Sequence, residues 1–108
     1  MSVTYASLDE IRETFRLSKS ELAALFQRQA PSVAEWETRG IPSDRQATAE
    51  RLVELARLLR RKLIQSRIPE IVRTKDAWLG DRTMLEVLST EGVDPIYAYL
   101  GRLFAYVT

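Results

Sequence analysis

Apolar residues recur along this chain at intervals of three and four, the period of helices with one buried face. Leu8, Ile11 and Phe15 mark a first helix, with Ser7 as its candidate cap. Ser18 and Glu21 have the spacing of a capping box, in which hydroxyl and carboxylate each satisfy a backbone N–H. They open a second helix through Leu22, Ala23, Leu25 and Phe26. Pro31 suits a first helical turn, Val33 and Trp36 share a face, and Gly40 stops a short helix of about residues 30–38. Ser43 and Asp44 are candidate caps of a long helix with the stripe Leu52, Leu55, Ala56, Leu59 and Leu63, expected to continue to Ile68 and Pro69. Proline breaks the hydrogen-bond ladder, so a unit boundary is expected near residues 66–69, followed by a helical turn at 69–72. Thr83 and Glu86 form a second capping box, Gly92 closes that helix, and Asp94 and Pro95 are cap and first position of the next. The last two helices are expected at about 84–91 and 95–107, with Ile96, Tyr99, Leu100, Leu103, Phe104 and Val107 on the apolar face of the second. No segment alternates with period two and no repeat is visible, so the fold class is all-α.

The 108 residues amount to one domain or two very small units sharing a core, divided here as 1–67 and 68–108. An apolar fraction of 45% with 29% charge fits a globular chain, and no apolar run reaches the roughly 20 residues of a membrane helix. The N-terminus lacks signal-peptide character, which makes the cytoplasm the expected compartment. Cysteine and histidine are both absent, removing thiol and imidazole catalysis and the usual zinc ligands. No metal or cofactor is expected. The carboxylate pairs Asp9–Glu10 and Glu35–Glu37 are one and two residues apart, positions that do not face each other on a helix, so an enzyme is not expected either. The net charge of +1 conceals an asymmetry: residues 1–67 carry 12 basic and 9 acidic side chains, residues 68–108 carry 4 and 6. The first part tolerates a polyanion and the second does not attract one.

The string L-S-K-S-E-L-A-A-L-F-Q-R-Q-A-P-S-V-A-E-W-E-T-R-G-I-P, residues 17–42, resembles the helix-turn-helix of the Cro/repressor (Xre) family. Ala23 is small enough for two helices to cross closely, and Val33 and Trp36 back the reading helix. Where that family commonly has its turn glycine this chain has Gln27, and Arg28 replaces the apolar residue after it. The resemblance makes Arg28, Gln29 and Ser32 the candidate base readers, with Glu35 an acidic intruder among them. Lys19, Arg39 and Arg45 are the candidate phosphate contacts. Trp36 reads as core rather than as a base stacker. The run Arg57, Arg60, Arg61, Lys62 and Arg67 reads as the solvated face and last turn of the long helix rather than as a DNA patch.

A second resemblance begins at Pro69. Trp78-Leu79-Gly80, the capped helix Thr83 to Leu88, Gly92, and the terminal stretch Val93 to Val107 are similar to the toxin-binding domain of the Xre/MbcA/ParS antitoxins. Met84 stands where that pattern usually has proline, and Asp81 where it often has glycine. Together the two resemblances imply an antitoxin of a type II toxin–antitoxin system. Its partner would be a RES-domain toxin that degrades NAD, blocked sterically, in a homodimer or a larger hetero-oligomer. The N-terminal half would contact operator DNA or dimerise. Within the terminal helix Tyr99 and Phe104 fall on the core stripe, whereas Tyr97, Arg102 and Tyr106 fall off it and, with Arg82, are the candidate toxin contacts. The competing reading is a stand-alone transcriptional regulator whose C-terminal helices only dimerise it.

Overall fold

The computed structural model describes residues 5–105, the side chains of residues 5–7 and of Glu37 excepted. The chain runs α1 (Tyr5–Phe15), α2 (Lys19–Ala24), α3 (Ala30–Ala34), α4 (Trp36–Arg39), α5 (Gln46–Lys62), α6 (Ile68–Ile71), α7 (Met84–Glu91) and α8 (Asp94–Phe104). Three 3₁₀ turns, Ser43–Arg45, Gln65–Arg67 and Ala77–Leu79, connect them. The described residues contain no strand, only an isolated antiparallel bridge between Asp76 and Arg82. None of these helices is long and apolar enough to cross a membrane.

The stripes expected from periodicity meet in one core. Leu8, Ile11 and Phe15 of α1 are fully buried against α5, whose Leu52, Leu55, Ala56 and Leu59 form the buried spine. Ala49 and Val53 join that spine as well. Leu22, Ala23, Leu25 and Phe26 continue the core toward Val33 and Trp36, and Ile68, Val72, Met84, Val87, Leu88, Ile96 and Leu100 extend it through the C-terminal half. The radius of gyration is 13.7 Å, close to the ~13 Å of a packed chain of 100 residues. The two halves are therefore packed on each other and do not hang apart about Pro69.

Both expected capping boxes are present, Ser18 with Glu21 and Thr83 with Glu86. Two helix ends are closed by a left-handed residue that is not glycine. At the end of α1, Arg16 has φ 52° while the Leu17 N–H reaches back to the Arg12 carbonyl at 2.9 Å. After α2, Gln27 has φ 54°, its N–H donates to the Ala24 carbonyl at 3.0 Å, and the Arg28 N–H donates to the Ala23 carbonyl at 3.0 Å. This pair of bonds is the Schellman arrangement, which normally selects glycine at the left-handed position.

Several boundaries differ from the sequence expectation. The backbone is already helical at Tyr5, so Ser7 lies inside α1 and is not its cap. The helix expected at 30–38 is two segments, α3 and α4, joined at Glu35, which keeps a right-handed helical backbone. Ser43 and Asp44 do not cap α5; they form a 3₁₀ turn, and the Gln46 side-chain amide ties back to the Ile41 carbonyl at 3.1 Å. The long helix stops at Lys62 instead of reaching Ile68, because Leu63 turns extended (φ −124°, ψ 158°) and sends the chain back so that Ile68 and Val72 enter the core. Helix α8 starts at Asp94 after Val93 as N-cap, so Asp94 is not the cap; its carboxylate pairs with Arg51 at 2.6 Å. Leu103, expected in the apolar stripe, is 42% exposed, and Val107 lies outside the described residues.

The α2 cap carries a pH signature. The Ser18 backbone N–H, 2.9 Å from the Glu21 carboxylate, and then the Arg73 guanidinium hold that carboxyl below its ordinary range, against an opposing desolvation. A carboxyl whose pKa is depressed by folding stabilises the fold fully above the ordinary range and loses that contribution as pH falls through its folded value. Thermal melts across the acid range are expected to show Glu21→Gln flattening the low-pH part of the stability profile. A wild-type slope in that variant would refute the assignment.

Candidate functional site

The C-terminal surface is built around a tight loop between α6 and α7. Asp76 caps the 3₁₀ turn Ala77–Leu79, its Oδ1 accepting the Trp78 N–H at 2.8 Å. Gly80 (φ 73°) and Asp81 (φ 60°) then reverse the chain in the left-handed region, and the Asp76 N–H closes the loop on the Arg82 carbonyl at 3.2 Å. This reversal buries Leu79 and leaves Trp78 standing 46% exposed.

Helix α8 supplies the rest of the surface. The Tyr99 ring lies 5.6 Å from that of Trp78, tilted by 38°, and the Arg102 guanidinium lies 5.9 Å from the indole centroid. Tyr99, Arg102 and Leu103 sit at i, i+3 and i+4, neighbouring positions on one helical face. The Tyr99 hydroxyl donates to Asp76 Oδ2 at 2.9 Å, so one carboxylate orients both the indole loop and the phenol. Burial, and then the adjoining Asp76 carboxylate, raise the Tyr99 pKa, which keeps the phenol a neutral donor. Beside the rings a cleft of about 280 Å³ opens between α6 and α8, lined by Arg67, Glu70, Ile71, Asp76, Leu79 and Tyr99 among others. An exposed indole, a half-buried phenol and a stacked guanidinium are the side-chain types that dominate binding energy at protein interfaces, and the exposed Leu103 adds apolar area beside them. The arrangement offers contact area and hydrogen bonds.

Of the expected toxin contacts, Arg82 and Tyr97 lie away from this surface. Arg102 belongs to it. Arg82 folds along the loop, donating to the Leu79 carbonyl at 3.0 Å and pairing with Glu91 at 2.5 Å, so its guanidinium is engaged within the chain. Tyr97 faces α5, half-buried beneath the Arg51 guanidinium 5.8 Å from its ring centroid. Its pKa is raised by burial and then by Glu54. Tyr106 lies outside the described residues.

The expected DNA face is open. Lys19 begins α2; Arg28 and Gln29 occupy the turn into α3, where Gln29 is the N-cap residue but makes no capping bond; Ser32 lies in α3 and Arg39 ends α4. All five are exposed, as is Glu35. Arg45 is half-buried, its Nε enclosed without a hydrogen-bond partner. Behind them Ala23, Val33 and Trp36 are buried, and Trp36 meets Phe26 edge-on, centroids 5.2 Å apart. The basic run of α5 and the turn after it is exposed and partnered within the chain: Arg57 pairs with Glu10 of α1 at 2.8 Å, Arg60 reaches the Thr14 hydroxyl of α1 at 3.4 Å, and Arg67 pairs with Glu70 at 3.3 Å.

No family model, curated protein or solved structure matches the chain.

The surface therefore stands on its geometry. Of the residues expected in the core stripe, Tyr99 does pack against the core while Leu103 is exposed, and Trp78 was not among the expected contacts. The exposure of Trp78 carried no clear signal, since Leu79 beside it in the same turn is buried. Leu103 carried none either, because its exposure depends on where the neighbouring helices end.

Proposed function

We propose that this chain is the antitoxin of a type II toxin–antitoxin system, binding a RES-domain toxin and blocking its NAD-degrading site by steric occlusion in the cytoplasm. In this reading α1–α4 with the first part of α5 form a Cro/repressor-like helix-turn-helix bundle, α5 links the halves, and α6–α8 form the toxin-binding unit. The observation that carries it is the exposed Trp78–Tyr99–Arg102–Leu103 surface, which lies on the segment resembling the antitoxin toxin-binding domain. A surface of aromatic and arginine side chains beside an open cleft suits a stable protein partner. The helix-turn-helix, with Lys19, Arg28, Gln29, Ser32 and Arg39 exposed, adds operator contact and autoregulation.

The test is NAD turnover by the product of the adjacent reading frame, assayed with and without this protein. That product alone is expected to consume NAD, and one equivalent of this chain to suppress the reaction while co-eluting with it. An adjacent product with no such activity, or one undisturbed by excess of this chain, overturns the reading. Tight binding to promoter DNA in that case leaves the stand-alone regulator.

A further inference from the structure

Helix α2, the first helix of the helix-turn-helix, is held at both ends by the C-terminal half. At its entry stands Arg73, just beyond α6. Its Nη1 donates to the Phe15 carbonyl at 2.7 Å and to the Pro69 carbonyl at 2.9 Å. Its Nη2 donates to the Arg16 carbonyl at 2.7 Å and meets the Glu21 carboxylate at 3.2 and 3.4 Å. One guanidinium thus satisfies carbonyls at the end of α1 and grips the capping glutamate of α2. At the exit, the Gln27 side-chain amide donates to the Ser89 carbonyl of α7 at 2.7 Å. This bond leaves from the left-handed residue of the turn itself, where glutamine is an otherwise strained choice. Between the two ties α2 and α7 do not close on each other: a cleft of about 170 Å³ separates them, lined by Glu21, Ala24, Leu25, Leu85, Glu86 and Ser89. At its entry α2 is tied to the segment after α6 through Arg73, and at its exit to α7 through the single Gln27–Ser89 bond. Arg73 and Glu21 are 34% and 41% exposed, where an ion pair adds little stability but its geometry still orients what it joins.

We propose that Arg73 and Gln27 are positioning residues that set the angle of α2 against the C-terminal half. Through the turn they set the placement of Arg28, Gln29 and Ser32 at the start of α3. The sequence preference of the helix-turn-helix then depends on α6 and α7 being docked behind it. This rests on the reading that the exposed face of α2 and α3 contacts DNA.

The test uses the full-length protein as wild type, Arg73→Gln, Gln27→Gly and Glu21→Gln. Glutamine at 21 preserves a capping box and removes the charge, which separates the clamp from the cap. Glycine at 27 suits the left-handed turn and removes only the tie to Ser89. Two measurements are made: amide hydrogen exchange by segment, and affinity for a duplex spanning the promoter of the protein's own gene against a scrambled duplex of equal composition. Faster exchange confined to residues 19–39 is expected in each variant, with α5 and α8 unchanged. Discrimination between the duplexes is expected to fall about 10-fold, the scale of one misread base pair, at an unchanged salt slope because the phosphate contacts remain. Exchange accelerated equally in every segment, or unchanged exchange with unchanged discrimination, overturns the proposal. Should wild type not discriminate at all, the DNA reading falls and exchange at residues 19–39 alone decides: selective acceleration supports the positioning role, and its absence overturns it.

Discussion

Replacing Trp78 by alanine is expected to weaken capture of the proposed toxin partner by about 30-fold or more while leaving the fold intact. The indole is 46% exposed and contacts Tyr99 and Arg102, so its removal takes away interface area and little core. Central aromatic anchors typically cost 2 kcal/mol or more when truncated, about a 30-fold or greater loss of affinity. With the proposed target enzyme kept below the wild-type Kd, half inhibition of NAD turnover should therefore need at least roughly 30-fold more Trp78→Ala protein than wild type. Leu103→Ala and Arg102→Ala, on the same face, should move in the same direction by less. Glu50→Ala, exposed on α5, serves as the control and should titrate like wild type. Full inhibition by Trp78→Ala at stoichiometric concentration would remove this surface from the interface, while the antitoxin reading would still stand on the wild-type assay.

The second large effect is on stability. Phe26 is fully buried and meets Trp36 edge-on at an interplanar angle of 86°. Phe26→Ala leaves a cavity where α2 and α4 meet the core. Such truncations cost about 3–5 kcal/mol, and domains of this size have only about 5–15 kcal/mol in total. A fall in melting temperature of more than about 10 °C is expected. Because the core is continuous from Leu8 to Leu100, the loss should appear as one transition in both halves. Trp78→Phe protein leaves Trp36 as the sole tryptophan, so its fluorescence reports the N-terminal half while far-ultraviolet dichroism reports every helix. Coincident melts of the two signals are expected in Trp78→Phe protein with and without the Phe26→Ala change. An early fluorescence transition with most helicity retained would mean that the halves unfold separately, contrary to the continuous core.

Much of this architecture is local and therefore readable along the chain. Ser18 with Glu21 and Thr83 with Glu86 start helices because each cap and its N–H partner are three residues apart, a distance that needs no tertiary information. The stripe Leu52, Leu55, Ala56 and Leu59 is buried because a helix of that period has only one apolar face to hide. Gly40 and Gly92 end their helices at positive φ for equally local reasons. Ala23, Val33 and Trp36 are buried as their spacing predicts.

Other features depended on contacts between segments far apart in sequence. The long helix could have run to Pro69 by its own propensity; it stops at Lys62 because Ile68 and Val72 are required against α1. Asp94 suits a cap, yet Arg51, 43 residues earlier, takes its carboxylate. Gln27 looked like a departure from a glycine turn, but the backbone keeps the left-handed conformation and the side chain gains a partner on α7.

The sequence by itself determined the helices, their caps, most of the buried stripe and which side chains could act, because those follow from spacing within a few residues. Only the tertiary structure decided which of them share a surface. Trp78, Tyr99, Arg102 and Leu103 were brought together when α8 docked beside the loop closed by Asp76, while Tyr97 and Arg82, as promising in sequence, were turned toward Arg51 and Glu91. The physical reason is that a helical face becomes surface or core according to what packs beside it, and for α8 that neighbour is set by chain reversals at residues 63–68 and 76–82.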